Sequence, residues 1–182
     1  MKTEVKVGSL LISKPFIEDK RFEKTIILIV EHNYNGTIGF IMNKQTEATL
    51  DALIKKIPPT NIKIQYGGPV DNKESLFFIH KYPDLIRDSQ EIKDGVFWGG
   101  ETQDVIHGLE SQEICEKDIL FFTGYTGWEK DQLKYEIEEG SWIIHHIDLT
   151  KLHQQLNWSN ILVEINKDYE VWATAPSDFH LN

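Results

Sequence analysis

Apolar and β-branched residues are concentrated in seven short runs, each bounded by Gly, Asn, Asp or Pro. Runs of this length and composition predict β-strands. The predicted strands are 7–13, 25–32, 36–43, 62–67, 75–80, 118–124 and 141–147. Between the second and third run, "HNYNGT" contains an Asn-Gly pair, which favours a hairpin turn because both residues tolerate positive φ. These two strands are therefore predicted to be antiparallel.

Apolar residues at helical spacing predict five helices in the rest of the chain. The predicted helices are 49–57, 101–111, 127–139, 150–156 and 158–166. The first has its apolar residues at i, i+3, i+4 and i+7, namely Leu50, Leu53, Ile54 and Ile57. Two prolines follow and end it. Strands come first and no regular βαβα alternation follows, so we expect one α+β domain over residues 1–182, with a mostly antiparallel or mixed sheet.

The segment "LFFTGYTGWEKDQLKYEIEEGSW" resembles a strand, a glycine-rich turn and a helix, an outline shared by nucleophile elbows and phosphate loops. Gly124 and Gly127 are three residues apart with no Ser or Cys between them, which excludes the elbow. No Gly-Lys-Ser/Thr follows, which excludes the phosphate loop. Thr126 and Glu129 instead predict a capping box at a helix start, and Gly140 predicts its C-terminal end.

On the helix predicted over 127–139, three residues form a line at i, i+4 and i+8: Trp128, Gln132 and Glu136. An indole, an amide and an acid in a row are unusual for a solvent-facing helix surface. One interpretation is that they line a pocket or an interface. The other is that Trp128 packs under a loop while Gln132 and Glu136 bond backbone groups.

Charge and cysteine content exclude several classes of protein. The chain has 19 basic and 29 acidic residues, a net charge of −10. Nucleic acids and anionic membranes need clustered Lys and Arg, so both are disfavoured as partners. No apolar run approaches the ~20 residues of a membrane span. The single cysteine, Cys115, allows no internal disulfide and fits a reducing cytoplasm; its acidic neighbours favour a partly buried, inert thiol.

Three polar or glycine-rich clusters are weaker candidates for chemistry. At the end of the second predicted strand, Glu31, His32 and Asn33 could serve acid–base catalysis, but adjacent strand residues point to opposite faces. Adjacent His145 and His146 diverge for the same reason. No metal site or cofactor is therefore predicted from them, even with Asp148 and His153 nearby. The segment 67–69, Gly-Gly-Pro, suits either a ligand cradle or a corner in a bent sheet.

Four separated motifs, in order, are similar to those of the YqgE/AlgH family of bacterial proteins: "GSLLISKPFIEDKRFEKTIILIVEHNYNGTIGFIMNK", "YGGPV", "FFIH" and "GYTGW" followed by "GSW". The resemblance implies a cytosolic protein with a bent, barrel-like sheet flanked by helices, and no particular reaction. The matching positions are Glu31, His32, Asn33, Asn43, Gly67, Gly68, Pro69, His80, Gly124, Tyr125, Gly127, Trp128, Gln132 and Glu136. The family usually has smaller residues after the tryptophan than the Glu-Lys-Asp present here.

These observations favour a non-enzymatic cytoplasmic module that binds a protein or a small ligand and acts in regulation. Its expected binding surface joins the 128–136 helix face, the hairpin end at His32 and the 67–69 corner. A second hypothesis is an enzyme, such as a hydrolase, that pairs His32 or His80 with Glu31 or Glu136. A third is a DNA-binding regulator, which the charge of −10 disfavours.

Overall fold

The computed structural model describes residues 4–57, 59–70, 75–152 and 156–175. The strands are β1 (Leu10–Ser13), β2 (Ile26–Asn33), β3 (Gly36–Ile41), β4 (Gln45–Thr49), β5 (Lys63–Tyr66), β6 (Leu76–His80), β7 (Gln90–Lys93), β8 (Val96–Trp98), β9 (Ile119–Thr123), β10 (Thr126–Glu129) and β11 (Trp142–His145). The α-helices are α1 (Leu50–Leu53), α2 (Thr102–Glu110), α3 (Gln132–Glu138), α4 (Trp158–Ile165) and α5 (Glu170–Thr174). Short 3-10 helices occupy Lys20–Phe22, Glu116–Asp118, Leu149–Lys151 and Lys167–Tyr169.

The strands form two sheets. The first sheet has the order β10-β3-β2-β1-β11, and the second has the order β4-β5-β9-β6-β8-β7. Every pair is antiparallel except β5 with β9. The predicted α+β class, the largely antiparallel pairing and the β2–β3 hairpin are therefore confirmed. The described strands make two sheets rather than one closed barrel.

In apolar strands such as β1, β2 and β9, alternate residues enter different apolar layers, which is why these strands appear in the sequence as continuous apolar runs. The central layer lies between the sheets and includes Leu28, Phe40 and Phe122. The rings of Phe40 and Phe122 stack with centroids 4.9 Å apart. Helix α4 also packs into this layer, and its Trp158 Nε1 donates to the carbonyl of Ser13 at 2.8 Å. Each sheet therefore has one face in this layer and a second, outer face against which a helix packs, α3 on the first sheet and α2 on the second.

The first sheet is strongly bent around the apolar layer on its outer face, the outer layer, which includes Leu11 and Ile27. Trp128 and Trp142 belong to its two edge strands, which three other strands separate. Neighbouring strands are ~4.8 Å apart, so the edges of a flat sheet would be ~19 Å apart. The two indole centroids are nevertheless only 6.0 Å apart and meet edge to face. The bend predicted from the family resemblance is present in this sheet.

The two sheets join at the glycine corner. Gly67 donates its N–H to the carbonyl of Thr123 in the second sheet at 2.8 Å, and accepts from the N–H of Ile41 in the first sheet at 2.8 Å. A Cβ on Gly67 would collide with the carbonyl oxygen of Gly124. The close approach of two backbones at this corner therefore accounts for the glycine at position 67 without a ligand.

The predicted helix start at 127 and its capping box are wrong. Thr126–Glu129 forms strand β10, and the hydroxyl of Thr126 donates to the carbonyl of Gly39 at 2.8 Å. Thr126 and Trp128 are buried while Gly127 and Glu129 are exposed, which is the period of a strand. The predicted C-terminal end is confirmed. Gly140 has φ +86°, and the N–H groups of residues 140 and 141 return to the carbonyls of residues 137 and 136, as in a Schellman motif.

Other boundaries also differ from the predictions. Helix α1 ends at Leu53, whose side chain is 53% exposed, so the predicted apolar face of 49–57 is wrong at that position. Strands β4, β7 and β8 and helix α5 were not predicted. Helices 101–111 and 158–166 are confirmed by α2 and α4. Of the predicted helix 150–156, residues 153–155 lie outside the described residues, and a 3-10 helix ends at Lys151.

Candidate functional site

An open groove with a volume of about 910 Å³ runs beside α3, on the outer face of the first sheet. Apolar side chains from α3, from β11 and from the segment before β1 line it: Val5, Leu133, Ile137, Trp142 and Ile144. The tip of the β2–β3 hairpin contributes His32, Asn33 and Tyr34 to the lining. The groove therefore has an apolar lining and is open to solvent.

Charged residues of both signs surround this apolar lining. The lysines are Lys14, Lys130 and Lys134, and the acids are Glu4, Glu129, Asp131 and Glu138. Among the described residues, none of these seven side chains takes part in an ion pair. They remain available to groups on a bound molecule.

Glu136 fixes α3 to both edges of the first sheet. Its Oε2 accepts from the indole N–H of Trp128 and from that of Trp142, each at 2.8 Å. Its Oε1 accepts from Gln132 Nε2 at 3.0 Å. The two indoles are 5% and 3% exposed, so their N–H groups depend on this carboxylate. The network holds the helix in place.

Trp128 and Gln132 therefore both contact Glu136, but the three residues do not lie along one helix as predicted. Trp128 lies on a strand and not on the helix. Gln132 accepts from the backbone N–H of Glu129 at 2.9 Å, as the structural interpretation proposed, whereas the partners of Glu136 among the described residues are all side chains. None of the three is among the residues that line the groove.

At the hairpin end, Glu31 and His32 engage different partners. His32 Nδ1 lies 2.7 Å from the hydroxyl of Thr37, and Glu31 Oε1 accepts from Asn33 Nδ2 at 2.7 Å. Asn33 Oδ1 accepts from the N–H of Asn35 at 2.8 Å and shapes the turn. The two side chains thus do not form an acid–base pair. His32 and Asn33 reach the groove.

His80 is fully buried on the outer face of the second sheet. Its Nε2 donates to the carbonyl of Gly99 at 3.2 Å, and its Nδ1 accepts from the N–H of Tyr82 at 3.1 Å. Because a carbonyl only accepts and an N–H only donates, these contacts define one neutral tautomer. Burial lowers the pKa of His80 below its usual value. Both nitrogens are occupied, so this ring is not available to a substrate.

Asn43 and Tyr125 also serve the backbone. Asn43 Oδ1 accepts from the N–H of Ile26 at 2.9 Å, and its Nδ2 donates to the carbonyl of Lys24 at 2.8 Å. Tyr125 exchanges two backbone hydrogen bonds of 3.0 Å with Val70, just after the glycine corner. These residues, with Gly67, Gly68, Pro69 and Gly124, lie at the junction of the sheets and not among the groove residues.

Of the candidate residues, His32 and Asn33 lie in the groove, and most of its lining was not predicted. The missed residues include Lys14, Lys134 and Ile144. These residues meet only because β1, α3 and β11 pack together, and no local sequence motif predicts that packing. The helical spacing of Leu133 and Ile137 was the one available signal for this face.

The remaining predictions concern metal ligands and the cysteine. Among the described residues, no three His, Cys, Asp or Glu side chains converge as a metal site would need. The pKa of His146 is lowered by partial burial and by Lys6, Lys93 and His145, an environment that disfavours a cation. His153 lies outside the described residues.

Cys115 is exposed and not partly buried as predicted, because it precedes a 3-10 helix at the surface. No helix in the described ranges has the length and apolarity needed to cross a bilayer.

Comparison with known proteins shows close relatives over nearly the whole chain. The family model described as AlgH-like matches residues 10–170. A UPF0301 protein of Cytophaga hutchinsonii is 34% identical over 178 residues, 96% of this chain and 98% of that protein. One from Parabacteroides distasonis is 32% identical and covers 96% and 90%.

Two solved structures share the fold. The solution structure of the AlgH protein from Pseudomonas aeruginosa has a TM-score of 0.74, with 24% identity over 100% of both chains. A crystal structure of a Corynebacterium diphtheriae protein also has a TM-score of 0.74, with 17% identity over 96% of this chain and 95% of the other. At these identities the likeness extends to the fold alone.

Proposed function

The chain belongs to the AlgH-like family, and we propose that it is a binding module whose groove beside α3 takes up an extended segment of a partner protein. One observation carries the proposal: an apolar groove, open to solvent, has a rim of charged side chains without ion-pair partners among the described residues. A module that only binds exerts its effect by changing what its partner protein does, and we therefore propose a regulatory role. The single cysteine supports placing it in a reducing cytoplasm.

The shape of the groove favours a peptide segment over a small molecule. Sites for small molecules enclose most of the ligand surface, whereas this groove is open. Residues from both ends of α3 line it, including Asp131 and Glu138. Seven helical residues span ~10 Å, and an extended chain advances ~3.3 Å per residue. At least three residues of an extended segment would therefore lie beside the helix.

Charge favours a segment with apolar residues in its centre and basic residues at its ends. The field of a chain with net charge −10 attracts a cationic partner. Glu129 and Asp131 lie near one end of α3 and Glu138 near the other, so the rim has carboxylates at both ends of the helix, and with Glu4 they outnumber its three lysines. Basic residues that flank an apolar stretch would meet them.

The experiment measures fluorescence anisotropy of a labelled peptide, KTVTVTVK, which has this pattern and high strand propensity. We expect Ile137→Asp to weaken binding at least about tenfold, because it puts a charge into the apolar lining. Tyr135→Asp is the matched control, since residue 135 lies on the same helix, is 63% exposed and is not a groove residue. Its affinity should equal that of the wild type.

A second variant protects the test against misfolding. Tyr34 lines the groove and is 82% exposed, so Tyr34→Asp should fold normally and weaken binding by a smaller factor. Circular dichroism checks each variant. Absence of peptide binding to the wild type at about 1 mM, or equal losses in the variants at residues 137 and 135, would overturn the proposal.

A further inference from the structure

Strand β11 is an edge of the first sheet, and its hydrogen-bond pattern defines which backbone groups face outward. Among the described strands it pairs with β1 alone, and Ser141 accepts from the N–H of Lys14 at 3.0 Å. In an antiparallel pair, bonded and non-bonded positions alternate. The odd positions from Ser141 onward therefore bond β1, while Trp142 and Ile144 turn their N–H and C=O groups away from it. The β1–β2 pair agrees, since Ser13 bonds to Thr25 on the other side of β1 at 3.1 Å.

These outward groups border the groove. The structure records no hydrogen bond from the backbone of Trp142 or Ile144 to other described residues outside the strand ladder. Both residues line the groove, and both side chains belong to the outer layer of the first sheet. A chain that pairs with this edge would therefore place every second side chain on the groove side.

The composition of β11 sets it apart from the other sheet edges of the described structure. Edge strands of soluble proteins are normally protected by charged residues. Strand β4 contains Glu47, β7 contains Glu91 and Lys93, and β10 contains Glu129. The sequence of β11, WIIH, contains no Asp, Glu, Lys or Arg. It is the edge that lacks the usual protection against another strand.

We propose that the partner segment binds as a sixth strand of the first sheet, paired with β11 through the backbone of Trp142 and Ile144. Alternate side chains of the segment enter the groove beside α3, and its basic ends meet the carboxylates of the rim. This inference rests on the proposed function and adds the mode of binding. The occupant is a segment of another protein, because the net charge of −10 opposes a second copy of this chain.

Peptide N-methylation tests the mode directly, because only one set of alternate N–H groups in an added strand points toward β11. Two versions of KTVTVTVK are compared, one N-methylated on valines and one on threonines. We expect one version to bind about tenfold weaker or worse and the other to bind like the unmodified peptide. Loss with the valine set indicates antiparallel addition, and loss with the threonine set indicates parallel addition. Equal affinities of the two versions would overturn strand addition.

A variant of the protein provides the complementary measurement. Ile144→Pro removes one outward N–H without touching the ladder to β1, a position where an edge strand tolerates proline. Ile144→Pro should weaken binding of the unmodified peptide severalfold, whereas Ile144→Val should leave the affinity unchanged. Slower hydrogen exchange at residues 142 and 144 in the complex is also expected.

The outcomes separate the two proposals. Peptide binding that depends on Ile137 but ignores both the methylation pattern and Ile144→Pro would leave groove binding in place and overturn strand addition. Light scattering tests the alternative occupant, which is a second copy of this chain. A wild-type dimer that Ile144→Pro dissociates would assign this edge to a second copy of the chain and overturn its assignment to a partner segment.

Discussion

The outer faces of the two sheets are covered in different ways. On the second sheet, α2 places Val105 and Ile106 in a closed apolar layer with Phe78 and Phe121. On the first sheet, α3 has seven residues and fully buries only Leu133. A groove remains open beside it. One face has been closed by apolar packing, and the other keeps an accessible apolar surface.

The difference shows how a small helix can be fixed without a large apolar contact. Helix α3 is attached through the carboxylate of Glu136, which accepts from an indole on each edge strand. Such a bond fixes direction and distance while it covers little area. A helix held in this way can leave part of the sheet uncovered, which is what a binding groove requires.

The largest expected effect compares matched truncations on the two covering helices. Ile106 on α2 is 7% exposed, whereas Ile137 on α3 is only partly buried at the groove. Ile106→Ala should lower the free energy of unfolding by about 3 kcal/mol, because it removes buried methyl groups and leaves a cavity. Ile137→Ala should lower it by about 1 kcal/mol. Urea denaturation measures both, and equal losses would break the comparison.

The next effect concerns the carboxylate of Glu136. Glu136→Ala leaves two buried indole N–H groups without an acceptor and should lower the free energy of unfolding by about 2–3 kcal/mol. Glu136→Gln keeps one acceptor oxygen and should lower the free energy of unfolding by a smaller amount. Glu138→Ala is the control, since that side chain is exposed and near the same helix end. Chemical denaturation followed by tryptophan fluorescence measures the three variants. Similar losses for the alanine variants at 136 and 138 would show that the network does not fix α3.

Much of the fold was predictable because several strands are buried on both faces. Continuous apolar runs correctly located β1, β2, β3, β5, β6, β9 and β11. Strand β4 was missed because its sequence, QTEAT, is polar and lies at an edge. The β7–β8 hairpin was missed although Asp94-Gly95, with φ of 54° and 74°, is a typical hairpin turn. That signal was present in the sequence.

The site was less predictable than the fold. The sequence placed Trp128, Gln132 and Glu136 in one set through helical spacing, and they do meet, although Trp128 reaches Glu136 from a strand. The second indole, that of Trp142, arrives because the sheet bends, and a bend is set by tertiary packing rather than by local pattern. The groove depends on the same bend.

The smallest expected effect is a pH dependence on the closed face. The fold binds His80 in its neutral form, and burial lowers its pKa below 6.5. The unfolded chain takes up a proton at this residue as the pH falls through about 6.5, while the folded chain does not. Wild-type stability should therefore decrease as the pH is lowered from 8 to about 5.5.

His80→Gln isolates this contribution. The variant should unfold with a smaller change in free energy over the same pH range, whatever its absolute stability, because it lacks the titrating group. A remaining slope is expected from His146, whose pKa is also lowered, and the double variant with His146→Gln should reduce it further. Urea denaturation at several pH values gives the slopes. Identical slopes for the wild type and His80→Gln would show that the second sheet admits a charged imidazole, so that its outer face is less closed than the packing of α2 indicates.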